Sequence, residues 1–158
     1  MCLSSVAYPL ELCRFFSQPH PAFAVCSNGS METRFPSAES YSNEPIRHAP
    51  LEIVDVAAEQ RAVTADYYNV VLNRVNASCL RLAVFHGEYR WHRHPTSDEL
   101  FLVVEGLLEI DLADGHKLAL HPWQAAVVPA GIVHRTRAVG RTVNLTFEAL
   151  GAETVFID

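Results

Sequence analysis

Residues 87–106 read GEYRWHRHPTSDELFLVVEG, and residues 129–134 read PAGIVH. The first stretch sets His92 and His94 two apart, places Glu99 five further on, and has a glycine at each end, Gly87 and Gly106. Side chains alternate faces along a strand, so His92 and His94 point the same way if this stretch is extended. Residues 95–98 have turn composition, and a turn there returns Glu99 on a neighbouring strand. In the second stretch a Pro-x-Gly turn leads into His134. Three imidazoles and one carboxylate facing one interior make a metal site, provided that a closed sheet brings these segments together.

Outward from these motifs, short apolar runs alternate with turn signals. Residues 51–56 form a first candidate strand and 57–65 a short helix. Residues 67–75 (YYNVVLNRV) are β-branched and aromatic, hence strand. Residues 79–85 alternate, with Leu80, Leu82 and Val84 on one face and Arg81 and Phe85 on the other. The ligand strand spans 88–94, and 99–105 is apolar on both faces, as in a covered sheet. Asp114-Gly115 is a two-residue hairpin signal between 107–112 and 117–120. Strands at 125–128, 133–138 and 142–149 follow, the last two joined by a hairpin at Gly140-Arg141. Many short strands with regular turns indicate a sandwich or jelly-roll barrel.

The residues carry a family resemblance. Gly87-x4-His92-x-His94-x4-Glu99-x6-Gly106 resembles the first motif of the cupin superfamily, and Pro129-x-Gly131-x2-His134 the core of the second. The likeness covers residues 51–158. Trp91-His92-Arg93-His94 and Asp98-Glu99-Leu100-Phe101 further resemble the small single-domain cupins loosely labelled phosphomannose-isomerase-like. The resemblance implies an all-β fold, a single jelly-roll (double-stranded β-helix) barrel over residues 49–158, and a homodimer. It also implies one divalent metal ion held by His92, His94, Glu99 and His134, with Asp98 a turn cap. Two positions depart from the pattern. Trp123 stands where the second motif has glycine, and Ala138 where it has asparagine. Glycine normally serves a turn of positive φ, so Trp123 implies a different turn near Pro122.

Mixed nitrogen and oxygen ligands suit Fe, Mn, Ni, Co or Zn. Four such ligands leave roughly one or two coordination positions open for water or substrate, unlike a closed structural site. Strand parity offers the rest of the pocket. Arg90 shares parity with His92 and His94, and is either an inward anion anchor or an ion-pair partner of Glu88 or Asp98. Phe101 follows Glu99, Thr136 follows His134, and Leu145 or Phe147 floors the cavity. Arg90, Phe101 and Thr136 are thus the candidate substrate contacts. Arg93, Arg135, Arg137 and Trp91 point away. Glu105 and Tyr89 are candidate general bases. His20, His48, His86, His116 and His121 fit no ligand spacing, and His116, after the hairpin turn, and His121, before a proline, belong on the surface.

Residues 1–48 read as a poorly ordered extension, rich in Ser and Pro, with a helical turn at 10–16 and Met31 as a candidate start. Cys2, Cys13, Cys26 and Cys79 form no C-x-x-C pair, which fits reduced thiols in the cytoplasm. The net charge of −6 argues against general nucleic-acid binding. No apolar run approaches a membrane span, and no basic leader precedes the first apolar residues. Two functions are expected: a metal-dependent isomerase, lyase or oxygenase acting on a small polar or anionic metabolite, or a non-catalytic module that binds a small molecule or metal.

Overall fold

The longest strand organises the molecule. The computed structural model describes residues 35–157; the helical turn at 10–16, Met31, His20 and three of the cysteines lie outside them. Two short helices, α1 (Ala38–Ser42) and α2 (Val56–Arg61), precede nine strands. These are β1 (Tyr67–Val75), β2 (Ser78–Glu88), β3 (His92–Arg93), β4 (Glu99–Glu105), β5 (Leu108–Leu112), β6 (Lys117–Leu120), β7 (Ala125–Val128), β8 (His134–Ala149) and β9 (Val155–Phe156). All pairings are antiparallel, and β8 pairs with β2, β3, β4 and β5. The fold is therefore an all-β curled sheet, as expected. No helix among the described residues is long and apolar enough to cross a membrane.

The hairpin expected at Gly140-Arg141 is absent, because β8 runs through both residues. Thr142 to Ala149 lie opposite Phe85 to Ser78, and Arg137 and Ala138 lie opposite Glu88 and Gly87. Both halves thus follow one partner in one direction. Gly140 (φ +74) bends β8 where the register with β2 shifts, so its positive φ makes an irregularity rather than a reversal.

Each face of this sheet buries something different. Ala83, Phe85, Phe101, Val103, Leu108 and Ile110 belong to the barrel interior. Leu72, Leu82, Val84 and Val143 form a second core on the other face, packed by Val54, Val56, Val63 and Leu145. Residues 51–56 are consequently not a strand: Leu51 and Ile53 are exposed, and Asp55 caps α2 by accepting from the Ala58 N–H at 2.9 Å. The chain here covers the sheet instead of extending it. Residues 35–48, part of the expected extension, also lie on the barrel. The Arg47 and His48 N–H groups donate to Val71 and Leu72 carbonyls at 3.0 Å.

Trp123 corrects another expectation. Its φ is +67, so the turn keeps the left-handed backbone that glycine would adopt. Its N–H donates to the Val103 carbonyl at 2.7 Å. That bond and the 121–124 turn hold a conformation that costs an L-residue about 1–2 kcal/mol.

Candidate metal centre

Three local structures bring the four ligand candidates together. His92 lies opposite His134 across the β3–β8 pairing, with ring centroids 4.3 Å apart. His94 follows β3, and Glu99 opens β4. The two motif turns are laced to each other. The Gly131 N–H donates to the His94 carbonyl at 2.8 Å, and the Ala130 N–H donates to the Asp98 carboxylate at 2.8 Å. Asp98 is exposed and ties turns; Glu99, one residue on, is buried. Glu99 Oε2 sits 3.3 Å from both His94 Nε2 and His134 Nε2. Ligand atoms of His92, His94 and Glu99 all lie within 4.8 Å of one another, and all four side chains are buried.

The outward nitrogens decide what the inward ones offer. His92 Nδ1 lies 2.9 Å from the Arg90 carbonyl, His94 Nδ1 3.0 Å from that of Glu153, and His134 Nδ1 3.0 Å from that of Ile132. A carbonyl only accepts, so each Nδ1 carries the proton and donates. A ring that is neutral then turns an Nε2 lone pair inward, the orientation that metal-binding histidines take from their outer partners. A lone pair facing a carboxylate at 3.3 Å is repulsive without a cation between them. Either a proton on the imidazole or a metal ion supplies that cation.

The electrostatics follow from burial and contact. Burial, then the neighbouring His134, pushes His92 down to about 4. Burial also opposes the charge on His94, but its contact with Glu99 more than reverses this and holds it up at about 9. Burial would raise Glu99, yet contacts with His134 and His94 hold it well below the usual carboxylate range. Glu148 moves the other way, raised by burial and then by the charge of Glu99.

Above the cluster opens a cavity of about 60 Å³. Phe101 and Thr136 line it, as parity predicts. Arg90 does not; its guanidinium lies 3.8 Å from the centroid of the Phe156 ring. Residues 89–91 lie outside any strand, so alternation fails to carry from His92 back to Arg90. The guanidinium inside the barrel is that of Arg81, which pairs with Glu44 and, at 3.5 Å, with Glu148, and donates to Asn69 at 3.1 Å. Leu145 and Phe147 face away from the cavity lining, which takes Asn144, Thr146 and Glu148 instead. Of the candidate bases, Tyr89 lines the cavity, whereas Glu105 is exposed and meets Gln60 and Arg141. The signal for the missed residues was present in Thr142-x-Asn144-x-Thr146-x-Glu148, an unbroken polar alternation.

A profile for the cupin domain matches residues 82–148. An uncharacterized protein, YdbB of Bacillus subtilis, is 50% identical over 96 residues, covering 61% of this chain and 85% of its own length. Polyketide synthase CurC of Streptomyces cyaneus is 47% identical over 49 residues, covering 31% of each chain. Among solved structures, protein NMB1881 from Neisseria meningitidis superposes with a TM-score of 0.58 at 28% identity, covering 62% of this chain and 99% of that one.

Proposed function

Because the chain belongs to the cupin superfamily, we propose that it is a metal-dependent enzyme acting on a small polar metabolite. One divalent first-row ion (Fe, Mn, Ni, Co or Zn) is held by His92, His94, Glu99 and His134. The observation that carries this reading is the trio of Nδ1–H···O=C contacts, which commits every Nε2 to one buried point beside Glu99. Bound there, such an ion supplies Lewis-acid or oxygen-activating chemistry of the isomerase, lyase or dioxygenase kind.

The chain's own residues shape the rest. Phe101 sets its ring edge-on to His134, with centroids 6.0 Å apart, and keeps bulk water from that side. Thr136 offers a buried hydroxyl to the ligand. A cytoplasmic homodimer completes the proposal, and light scattering that returns a monomer would remove that part.

Elemental analysis of the full chain, purified without chelator, tests the core of it. About one ion per chain is expected, and His92→Ala should lose most of it while keeping its circular dichroism. A chain free of metal, or a variant that retains its ion, would overturn the reading.

A further inference from the structure

Two cavity-lining residues each carry a buried acceptor with no hydrogen-bond partner among the described residues: Asn144 Oδ1, and Glu148 Oε2, which stands 3.8 Å from His94 Nε2. Asn144 is 1% and Glu148 8% exposed, and both line the space above the metal cluster. An acceptor left unpaired in a protein interior costs about 1–3 kcal/mol. Groups placed this way await a donor, and a ligand hydroxyl is one.

The facing wall offers donors. The Tyr41 and Tyr67 hydroxyls hydrogen-bond to each other, and Asn69 donates to Tyr67 at 3.4 Å. The Tyr67 and Tyr89 rings stack 5.9 Å apart, and Phe35 packs its edge on both. The edge of Tyr89 also meets the His92 ring, with centroids 5.1 Å apart. The phenols are therefore held rigidly next to a metal ligand. Tyr41 comes from α1, so residues 35–48 complete a site that the barrel alone leaves open.

Charge and size narrow the class. The carboxylates of Glu44, Glu99 and Glu148 balance the Arg81 guanidinium and a divalent ion, so the occupant needs no charge of its own. A cavity of about 60 Å³ holds roughly four to six water-sized positions.

We propose that this cavity binds a small neutral hydroxycarbonyl compound, whose hydroxyl donates to Asn144 Oδ1 and whose carbonyl oxygen accepts from the Tyr41 phenol. Such an occupant satisfies an orphaned acceptor and uses the phenol cluster with one molecule. The inference deepens the function proposed above and rests on its metal site.

Hydroxyacetone, with acetone as the probe lacking the hydroxyl, tests it. Each is titrated into the Mn(II)-loaded full chain, and binding is read from paramagnetic broadening of the probe's methyl proton resonance. Hydroxyacetone should bind about tenfold tighter than acetone, the worth of one hydrogen bond to a buried group. In Asn144→Leu that ratio should fall to about one. Tyr41→Phe should weaken both probes about tenfold at unchanged metal content, whereas Tyr68→Phe, whose hydroxyl meets Arg47 outside the cavity, should change neither. A wild-type ratio near one, a ratio that survives Asn144→Leu, or no broadening with either probe overturns the proposal. Should Asn144→Leu not fold, the wild-type ratio and Tyr41→Phe still decide. Failure to take up Mn(II) strikes the metal site itself, and elemental analysis reads it before any probe is added.

Discussion

Raising the pH from about 6.5 to about 9 should tighten metal binding by about two orders of magnitude, because a proton must leave His94 before an ion can replace it. His94 Nε2 and Glu99 Oε2 stand 3.3 Å apart, and the metal-free protein keeps a proton between them. The contact raises His94 from 6.5 to about 9, worth about 3 kcal/mol. Below the raised value, each pH unit costs the ion about tenfold in apparent affinity. His92, held down at about 4, is already neutral across this window and releases nothing. Competition against a chromophoric chelator of known affinity at each pH gives the slope. Calorimetry in two buffers of different ionisation enthalpy should count about one proton released per ion near pH 7.5. Stability moves in the opposite sense without metal. A raised folded-state pKa stabilises fully below 6.5, and that contribution is lost as the pH climbs through about 9. The melting temperature of the metal-free protein should therefore fall across the window, while the loaded protein is spared that loss. An affinity that is flat above pH 6.5, or calorimetry that finds no proton release, would refute the reasoning.

Gly106→Ala should destabilise by about 2–4 kcal/mol, since its φ is +86 and a Cβ would stand 2.6 Å from the Arg141 carbonyl oxygen and 2.7 Å from Thr142 Oγ1. Urea unfolding should show a lower midpoint with an unchanged slope, and a loss below about 0.5 kcal/mol would mean that the strand yields easily. Arg81→Met strands the Glu44 and Glu148 carboxylates and should cost about 3–5 kcal/mol at neutral pH. Adding Glu148→Gln should recover part of that loss, and melts of the single and double variants that coincide would show that the pairing contributes little.

Local reading reached the strands whose signals are local. The expected bounds of β1, β4, β6 and β7 match the structure, because each is bounded by turn residues beside it in sequence. It failed where a distant segment decides the outcome. Leu145 or Phe147 is expected to floor the cavity, yet Leu145 packs in the outer core with Val54 and Val56, Phe147 is exposed, and Arg81, Asn144 and Glu148 face the cavity. A sheet covered on both sides gives its two faces different neighbours, and no short window of residues says which neighbour is which. Arg90 was misplaced because strand parity was extended across residues 89–91, which are not strand.

The spacing of His92, His94 and Glu99, with a turn between, nominated ligand candidates on one face, and the resemblance to the cupin motifs chose Glu99 over Asp98 and implied the barrel that unites them. Strand alternation and turn chemistry act over a few residues, and such rules survive without knowledge of the rest of the chain. Only the folded chain could show that β8 carries His134 beside His92, that backbone carbonyls orient the imidazoles of His92, His94 and His134, and that Tyr41 and Arg81 enter the same cavity. Those relations join residues dozens of positions apart, and they are settled by closure of the sheet and by where unpaired polar atoms find partners.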